Sequence, residues 1–330
     1  MGMRFDALPL VEDTPAARPR IERRAVRRAA GSTTFYEVPA RTIIERVPET
    51  AGLGVSWAVS PYRGCAHACL YCAARGGHRQ LGLDGERDFG SAIVVKTDAA
   101  RRLRAELAAP RWAGEPVGIG FNGDCYQEAE EVYQLMPGIV AALRDAGNPL
   151  RVMTKSALVL RDAELLAEAA QVAEVEVRVS IGFVDDRLRR AVEPAAPSAQ
   201  KRLELCAELG ERGVPCGVLM GPILPCLTDS EDQLRAVVRR VAEAGAVSLT
   251  PMVLHLPPGA REWYLRWLAE EHPRLVPRYE ELYAGGPPAG EDYRRRVVAR
   301  VAELARLYGI GARRAAWSPS RLADRQLALL

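Results

Sequence analysis

The chain has 330 residues, of which 48% are hydrophobic and 26% charged, with a formal net charge of +3. These values fit one large α/β domain with extensions. They exclude fibrous and membrane classes, and so small a net charge gives no case for an extended nucleic-acid surface. With no apolar leader at its start and no run of about eighteen apolar residues, we predict a cytoplasmic protein that is not bound to a membrane.

The first fifty residues show no clear periodicity apart from a short apolar stretch at 42–47. We predict an N-terminal arm over 1–50 that is partly disordered and has at most a short element packed on the domain. One local basic stretch lies within it, comprising Arg18, Arg20, Arg23, Arg24, Arg27 and Arg28. Because charge runs are usually solvated, a nucleic-acid contact through this arm has weak support.

From residue 55 onwards, apolar runs of strand length alternate with helical patterns. The predicted strands are 55–60, 117–121, 150–154, 175–181, 216–220 and 247–253, and the predicted helices are 97–107, 130–146, 162–171, 198–209 and 230–244. Alternation of this kind predicts a parallel sheet, either a barrel or a doubly wound sheet, and the pattern alone does not choose. Residues 257–330 are predicted to form a helical, aromatic-rich extension whose rings mostly pack.

Three cysteines lie close together after the first predicted strand. Cys65, Cys69 and Cys72 are separated by three and two residues, and Tyr71 directly precedes the last of them. Thiolates at these spacings can hold three corners of a [4Fe–4S] cluster, which normally takes four cysteines. The fourth iron is then open to a ligand with an amine and a carboxylate, such as S-adenosylmethionine (SAM). The alternative is a set of buried or zinc-bound cysteines, although no matched second pair of ligands follows at zinc-knuckle spacing.

The order Cys-x3-Cys-x-aromatic-Cys resembles the signature of the radical SAM superfamily, and further motifs resemble its branch related to spore photoproduct lyase. These motifs are Pro61-Tyr62-Arg63-Gly64, Val94-Val95-Lys96-Thr97, Thr154-Lys155-Ser156 with Arg161-Asp162, Glu193-Pro194 and Pro222-Ile223-Leu224-Pro225. The resemblance implies an α/β fold, a partial (β/α)6 TIM-type barrel over 51–256, between the arm and the helical C-terminal extension. It also implies a functional site at the C-terminal ends of the strands.

The resemblance further implies a SAM site made of one residue set at each strand end. Its expected members are Tyr71, Asn122, Gly123, Asp124, Lys155, Ser180, Glu193 and Ile223. The turn from Asn122 to Asp124 is expected to receive the SAM amino group, and Lys155 its carboxylate. Ser180 suits the methionine end, Glu193 the ribose hydroxyls and the backbone near Ile223 the adenine. Without the cysteines, the turn would be ordinary turn chemistry and the lysine a residue of a barrel rim.

The implied activity is reductive cleavage of SAM to a 5′-deoxyadenosyl radical that abstracts a hydrogen atom from an unidentified substrate. An external one-electron reductant of flavodoxin or ferredoxin type is implied as a partner. Two alternatives stay open: a DNA-lesion (photoproduct) repair lyase, and a non-catalytic iron–sulfur or zinc-binding protein. By alignment, Phe121 stands where the lyase has its hydrogen-donating cysteine. Cys125 lies on the same turn and is the candidate donor, although a turn residue chosen for its size is the simpler account.

Overall fold

The computed structural model describes residues 22–28, 31–47 and 55–311. The strands are β1 (Glu22–Arg28), β2 (Gly31–Val38), β3 (Ile44–Arg46), β4 (Trp57–Val59), β5 (Tyr62–Arg63), β6 (Ala92–Lys96), β7 (Val117–Ile119), β8 (Leu150–Thr154), β9 (Val175–Ser180), β10 (Cys216–Ile223) and β11 (Leu249–Val253). The helices are α1 (Arg75–Gln80), α2 (Ala99–Leu107), α3 (Glu128–Tyr133), α4 (Leu135–Asp145), α5 (Ala163–Ala170), α6 (Asp186–Val192), α7 (Ala199–Glu211), α8 (Glu231–Glu243), α9 (Ala260–Glu271), α10 (Val276–Leu282) and α11 (Glu291–Leu307).

The larger sheet contains the six predicted strands as neighbours in chain order. Strands β4, β7, β8, β9, β10 and β11 are parallel, and β3 adds an antiparallel strand beside β4. Helices follow each of these strands, which is the order expected of a partial (β/α)6 barrel. The predicted strand positions are confirmed, and that at 150–154 agrees to the residue.

The two faces of the central strands differ in burial. On β8 and β9, the residues that face the helices are almost fully buried, among them Val152, Val177 and Val179 at 0% exposure. The residues between them, Arg151, Met153, Glu176 and Arg178, are only partly buried. These strands have neighbours on both sides, so the partial exposure of these residues does not come from a sheet edge. Their inner face therefore lines a space that solvent reaches. We call this inner space the lumen.

A second, smaller sheet was not predicted. Its order is β1-β2-β6-β5, so the region expected to be an arm contains a β-hairpin whose second strand pairs in parallel with β6. Phe35, Tyr62, Ile93 and Val95 form its buried cluster with Ala129. Pairing between strands 58 residues apart leaves no local pattern, which explains the missed sheet. Arg18 and Arg20 of the basic stretch lie outside the described residues.

The helix predicted over 130–146 is interrupted at Gln134, which adopts a left-handed φ of 48° between α3 and α4. The cause is Glu130, whose carboxylate turns back to accept hydrogen bonds from the backbone N–H groups of Leu135 (2.9 Å) and Met136 (3.1 Å). This side chain therefore satisfies the free N–H groups at the start of α4.

The C-terminal helices pack through tyrosines, as predicted. Tyr264, Tyr279 and Tyr283 are buried, and the rings of the last two stack with centroids 5.8 Å apart. The Tyr279 hydroxyl donates to the Pro225 carbonyl (2.8 Å), and the Tyr283 hydroxyl to the Leu254 carbonyl (2.8 Å). The extension thus attaches to the ends of β10 and β11. Over the described parts of the chain, no helix combines the length and apolar character needed to cross a membrane.

Candidate active site

The three cysteines of the motif lie on one loop that follows β4 and β5. Cys65 and Cys69 are buried, Cys72 is half-buried, and all three are free thiols. Burial raises the pKa of each thiol, and that of Cys69 reaches about 12. Since metal binds the thiolate, an iron cluster would have to displace these protons, and cluster binding would release them.

Two side chains outside the motif hold this loop in shape. Gln127 spans it, accepting from the Ala66 N–H and donating to the Gly64 carbonyl, each at 2.9 Å. Arg75 is 2% exposed and donates to the carbonyls of Cys69 (2.9 Å) and Ala68 (2.8 Å). These contacts satisfy backbone groups that a buried irregular loop would otherwise leave without partners.

Arg75 also joins the loop to the C-terminal extension. Its guanidinium lies 4.6 Å from the Phe89 ring centroid and 5.3 Å from that of Trp263 in α9. A cation between two aromatic faces is attracted by both rings. The helical extension therefore supports the cysteine loop as well as the barrel.

The turn after β7 comes into close contact with the cysteine loop at Gly123. This residue has a φ of 133°, and a Cβ there would lie 3.0 Å from the Gly64 carbonyl oxygen and 3.7 Å from the Cys65 Cβ. Glycine is needed for both reasons, the backbone conformation and the space. The predicted turn and the first cysteine are thus adjacent.

Asp124 joins three parts of the site. Its carboxylate accepts from the Thr154 hydroxyl (2.7 Å) and from the backbone N–H groups of Lys155 (2.7 Å) and Tyr126 (2.9 Å). His67 Nδ1, from the cysteine loop, lies 3.4 Å from the same carboxylate. Burial lowers the pKa of His67, so this contact is made by a neutral imidazole at pH 7. Asp124 therefore ties the loop to the end of β8.

Glu193 is the centre of a second buried group. It is 1% exposed, and its two oxygens accept from the Tyr71 hydroxyl and from the Arg202 guanidinium of α7. The ammonium of Lys155 is 4.0 Å from Glu193 and 6.0 Å from the centroid of the Tyr71 ring. Burial acts to raise the pKa of Glu193, but the charges of Arg202 and Lys155 outweigh it and hold that pKa below its ordinary value.

The remaining predicted residues are held by single contacts at the strand ends. Asn122 Nδ2 donates to the Ser60 hydroxyl (3.2 Å), and the Ser180 hydroxyl donates to the Gly221 carbonyl (2.9 Å). Ile223 is fully buried at the end of β10, and its carbonyl accepts from the Leu254 N–H (3.0 Å). Cys125 is 1% exposed, with its sulfur 3.9 Å from the Met153 carbonyl oxygen.

The donor set fits an iron–sulfur cluster better than one zinc ion. Among the described residues, no three His, Cys, Asp or Glu side chains are grouped so that they could hold a single metal ion. A [4Fe–4S] cluster instead needs each thiolate at a separate corner. Three free thiols, two buried and one half-buried, on a loop tied down by Gln127 and Arg75 suit that requirement.

Sequence reasoning missed several residues of this site. Gln127 follows the predicted turn and gave a positional signal, whereas Arg202 is one of many arginines on helices and gave none. His67 lies between two of the cysteines, and nothing in its spacing indicates a contact with Asp124. All three act through contacts between elements distant in the chain, which a sequence pattern does not reveal.

Comparison with known proteins agrees with this geometry. The profile described as Radical SAM superfamily matches residues 59–241, more than half of the chain. The chain belongs to the radical SAM superfamily. An uncharacterized protein of Mycobacterium tuberculosis is 44% identical to this radical SAM chain over 275 residues, covering 83% of this chain and 81% of that protein. An uncharacterized protein of Methanocaldococcus jannaschii is 29% identical over 178 residues, which are 54% of this chain and 64% of that protein.

Solved structures with a similar fold include spore photoproduct lyase. The lyase complexed with dinucleoside spore photoproduct gives a TM-score of 0.62 at 15% identity and covers 84% of this chain and 80% of that one. A mutant of the lyase with bound AdoMet and dinucleoside spore photoproduct gives 0.61 at 16% identity, with the same coverage. At these identities the likeness shows the fold alone. The predicted family and partial-barrel class are confirmed, and the protein is a radical SAM enzyme.

Proposed function

We propose that the enzyme holds a [4Fe–4S] cluster through Cys65, Cys69 and Cys72 and uses it to cleave SAM. The cluster supplies one electron, received from a flavodoxin- or ferredoxin-type protein, and cleavage gives methionine and a 5′-deoxyadenosyl radical that abstracts a hydrogen atom from an unidentified substrate. The observation that carries this proposal is three free thiols, two of them buried, on a tied loop, beside the buried group of Tyr71, Glu193 and Lys155.

The proposed SAM site consists of the strand-end residues Tyr71, Asn122, Gly123, Asp124, Lys155, Ser180, Glu193 and Ile223. Lys155 suits the SAM carboxylate because its ammonium lies 4.0 Å from Glu193, beyond hydrogen-bond distance. The Asp124 carboxylate already accepts three hydrogen bonds, so the SAM amino group is better served by backbone carbonyls of the Asn122 turn. For Glu193 to contact the ribose, Tyr71 or Arg202 would have to release the Glu193 oxygen to which it is bonded.

An anaerobic turnover assay tests this proposal. The protein is reconstituted with iron and sulfide, reduced with dithionite and given SAM, and 5′-deoxyadenosine is measured. We expect the parent to form deoxyadenosine and Cys69→Ala to form none. Cys226→Ala is the matched control, because Cys226 is a free cysteine exposed to solvent and outside the loop, so it should behave as the parent does. A parent that carries an intact cluster but never cleaves SAM would contradict the proposal.

A DNA-lesion repair lyase is the second candidate. The fold shared with spore photoproduct lyase supports it, as does the basic run of the sequence that includes Arg23, Arg24, Arg27 and Arg28. Against it, Phe121 replaces the lyase thiol and its ring packs over Gly118, where a Cβ would lie 2.1 Å from Phe121 Cε2. Cys125 stays the candidate donor, although its buried sulfur faces the Met153 carbonyl. A thymine-dimer oligonucleotide left unbound and unrepaired under conditions of SAM cleavage would eliminate this candidate.

A non-catalytic iron–sulfur or zinc protein is the third candidate. The thiols do not group around one ion among the described residues, which disfavours the zinc form. The same turnover assay tests whether the protein is a non-catalytic iron–sulfur protein, because multiple turnover of SAM by the parent would exclude this candidate.

A further inference from the structure

Arg178 lies on the lumen side of β9, directly beneath the proposed SAM layer. It is two residues before Ser180, which places the two side chains on the same face and about 7 Å apart along the strand. In the strand register Arg178 is opposite Met153 on one side and Gly217 on the other. Gly217 has no side chain, and the space over it is taken by the Ser248 hydroxyl and a Glu176 oxygen, which a Cβ there would meet at 2.2 and 2.7 Å.

The guanidinium of Arg178 is only partly engaged by the protein. Its Nε lies 3.1 Å from a Glu176 oxygen but is buried without a well-aligned hydrogen bond. Its two Nη nitrogens are not among the buried atoms that lack partners, and no described residue bonds them. They therefore remain open to the solvent of the lumen, although the side chain as a whole is only 17% exposed.

The Glu176 carboxylate is shared with other donors and does not neutralise Arg178 alone. It also pairs with Arg151 Nε (2.8 Å) and accepts from the Ser248 hydroxyl (2.9 Å) across Gly217. Two guanidinium groups thus share one carboxylate, with Glu174 as a further acidic neighbour. These contacts hold the Nε side of Arg178 beside Glu176.

We propose that Arg178 is a substrate-binding residue whose free fork receives an oxyanion, a carboxylate or a phosphate, of the substrate. This inference rests on the proposed function and adds a substrate class to it. A planar guanidinium with two free N–H groups binds such an anion through two parallel hydrogen bonds. Arg178 lies one layer below Ser180 and so holds the anionic end of the substrate in the lumen. The rest of the substrate then extends toward the strand ends, where the radical is generated.

Calorimetric titration of the anaerobically reconstituted protein with inorganic phosphate, and separately with acetate, tests the inference. We expect saturable binding of one anion per chain, weakened about tenfold or more in Arg178→Met because two charge-assisted hydrogen bonds are lost. Arg178→Lys keeps the charge without the fork and should bind about fivefold more weakly than the parent. Arg212→Met, which removes an exposed arginine directly after α7, is the matched control and should bind as the parent does.

The tighter of the two anions identifies the group that the substrate carries. Absence of saturable binding to the parent, or parent-like binding by Arg178→Met, would overturn the inference. Should Arg178→Met fail to fold by circular dichroism, Arg178→Lys decides, since parent-like affinity in that variant would mean that the fork is not the site. The titration contains no SAM or reductant. Its result therefore does not depend on whether the protein cleaves SAM in the turnover assay.

Discussion

Replacing Arg202 by methionine should destabilise the protein and weaken SAM binding. The side chain is 3% exposed and Glu193 is 1% exposed, so the change leaves a buried carboxylate without its main counter-charge. The change also removes hydrogen bonds to the Ser180 carbonyl (3.0 Å) and the Pro197 carbonyl (2.9 Å). Methionine keeps most of the aliphatic volume, so the loss is electrostatic. Breaking a buried pair on one side costs about 3–5 kcal/mol.

The free energy of unfolding of the apoprotein, from urea titration followed by circular dichroism, measures this cost. Arg212→Met, directly after the same helix, is the control, because the pair of Arg212 with Glu208 is 46% and 42% exposed and should contribute about 0–1 kcal/mol. The double variant Arg202→Met/Glu193→Gln should lose less than the sum of its single changes, since it removes the uncompensated charge. A loss below about 1 kcal/mol in Arg202→Met would show that Glu193 does not depend on Arg202 for its stability in the fold.

Three further predictions follow from the loop and the smaller sheet. Gly123→Ala should lower the iron bound per chain after reconstitution, because its Cβ meets the Gly64 carbonyl, whereas Gly210→Ala, with open space on α7, should bind iron normally. Glu45 is paired with Arg63 and Lys96; burial acts to raise its pKa, but both cations outweigh burial and hold it below 4.5. The stability that Glu45 contributes is therefore complete above pH 4.5 and is lost as the pH falls through its lower pKa in the folded state. In Glu45→Gln, the midpoint of urea unfolding should therefore fall less as the pH is lowered. Asp124→Asn should weaken SAM binding, measured by equilibrium dialysis, about tenfold, because the amide presents only one acceptor oxygen to its donors.

The barrel strands were predictable because each is an apolar, β-branched run bounded by polar turns. Val175–Ser180 shows the alternation fully, with valines facing the helices and Glu176 and Arg178 facing the lumen. The smaller sheet was not predictable, since β6 pairs with strands on both sides that come from distant parts of the chain. The break at Gln134 was missed for a related reason, because it depends on the Glu130 side chain turning back to cap α4.

The site divides in the same way. The positions of the strand-end residues were predictable because the motif order fixes them, and the cysteines, Asp124, Lys155 and Glu193 all follow the strands that the barrel order assigns to them. The sequence did not reveal which of these side chains can still bind a ligand and which are already bonded within the protein. Asp124 and Glu193 were expected to bind SAM directly, yet each carboxylate already accepts from protein donors on both oxygens. Whether a polar group is free or already bonded depends on its three-dimensional neighbours.

The contacts of Lys155 support its proposed role as the partner of the SAM carboxylate. Lys155 and Arg202 lie near two carboxylates, Glu193 and Asp124, and all four groups are largely buried. The Arg202 guanidinium is bonded to Glu193, whereas the Lys155 ammonium lies 4.0 Å from Glu193, which is too far for a hydrogen bond. Among the described residues no carboxylate lies within hydrogen-bond distance of the Lys155 ammonium, and a buried ammonium gains from an anion that pairs with it. We therefore expect the Glu193–Arg202 pair to hold Tyr71 in place and the Lys155 ammonium to receive the incoming carboxylate.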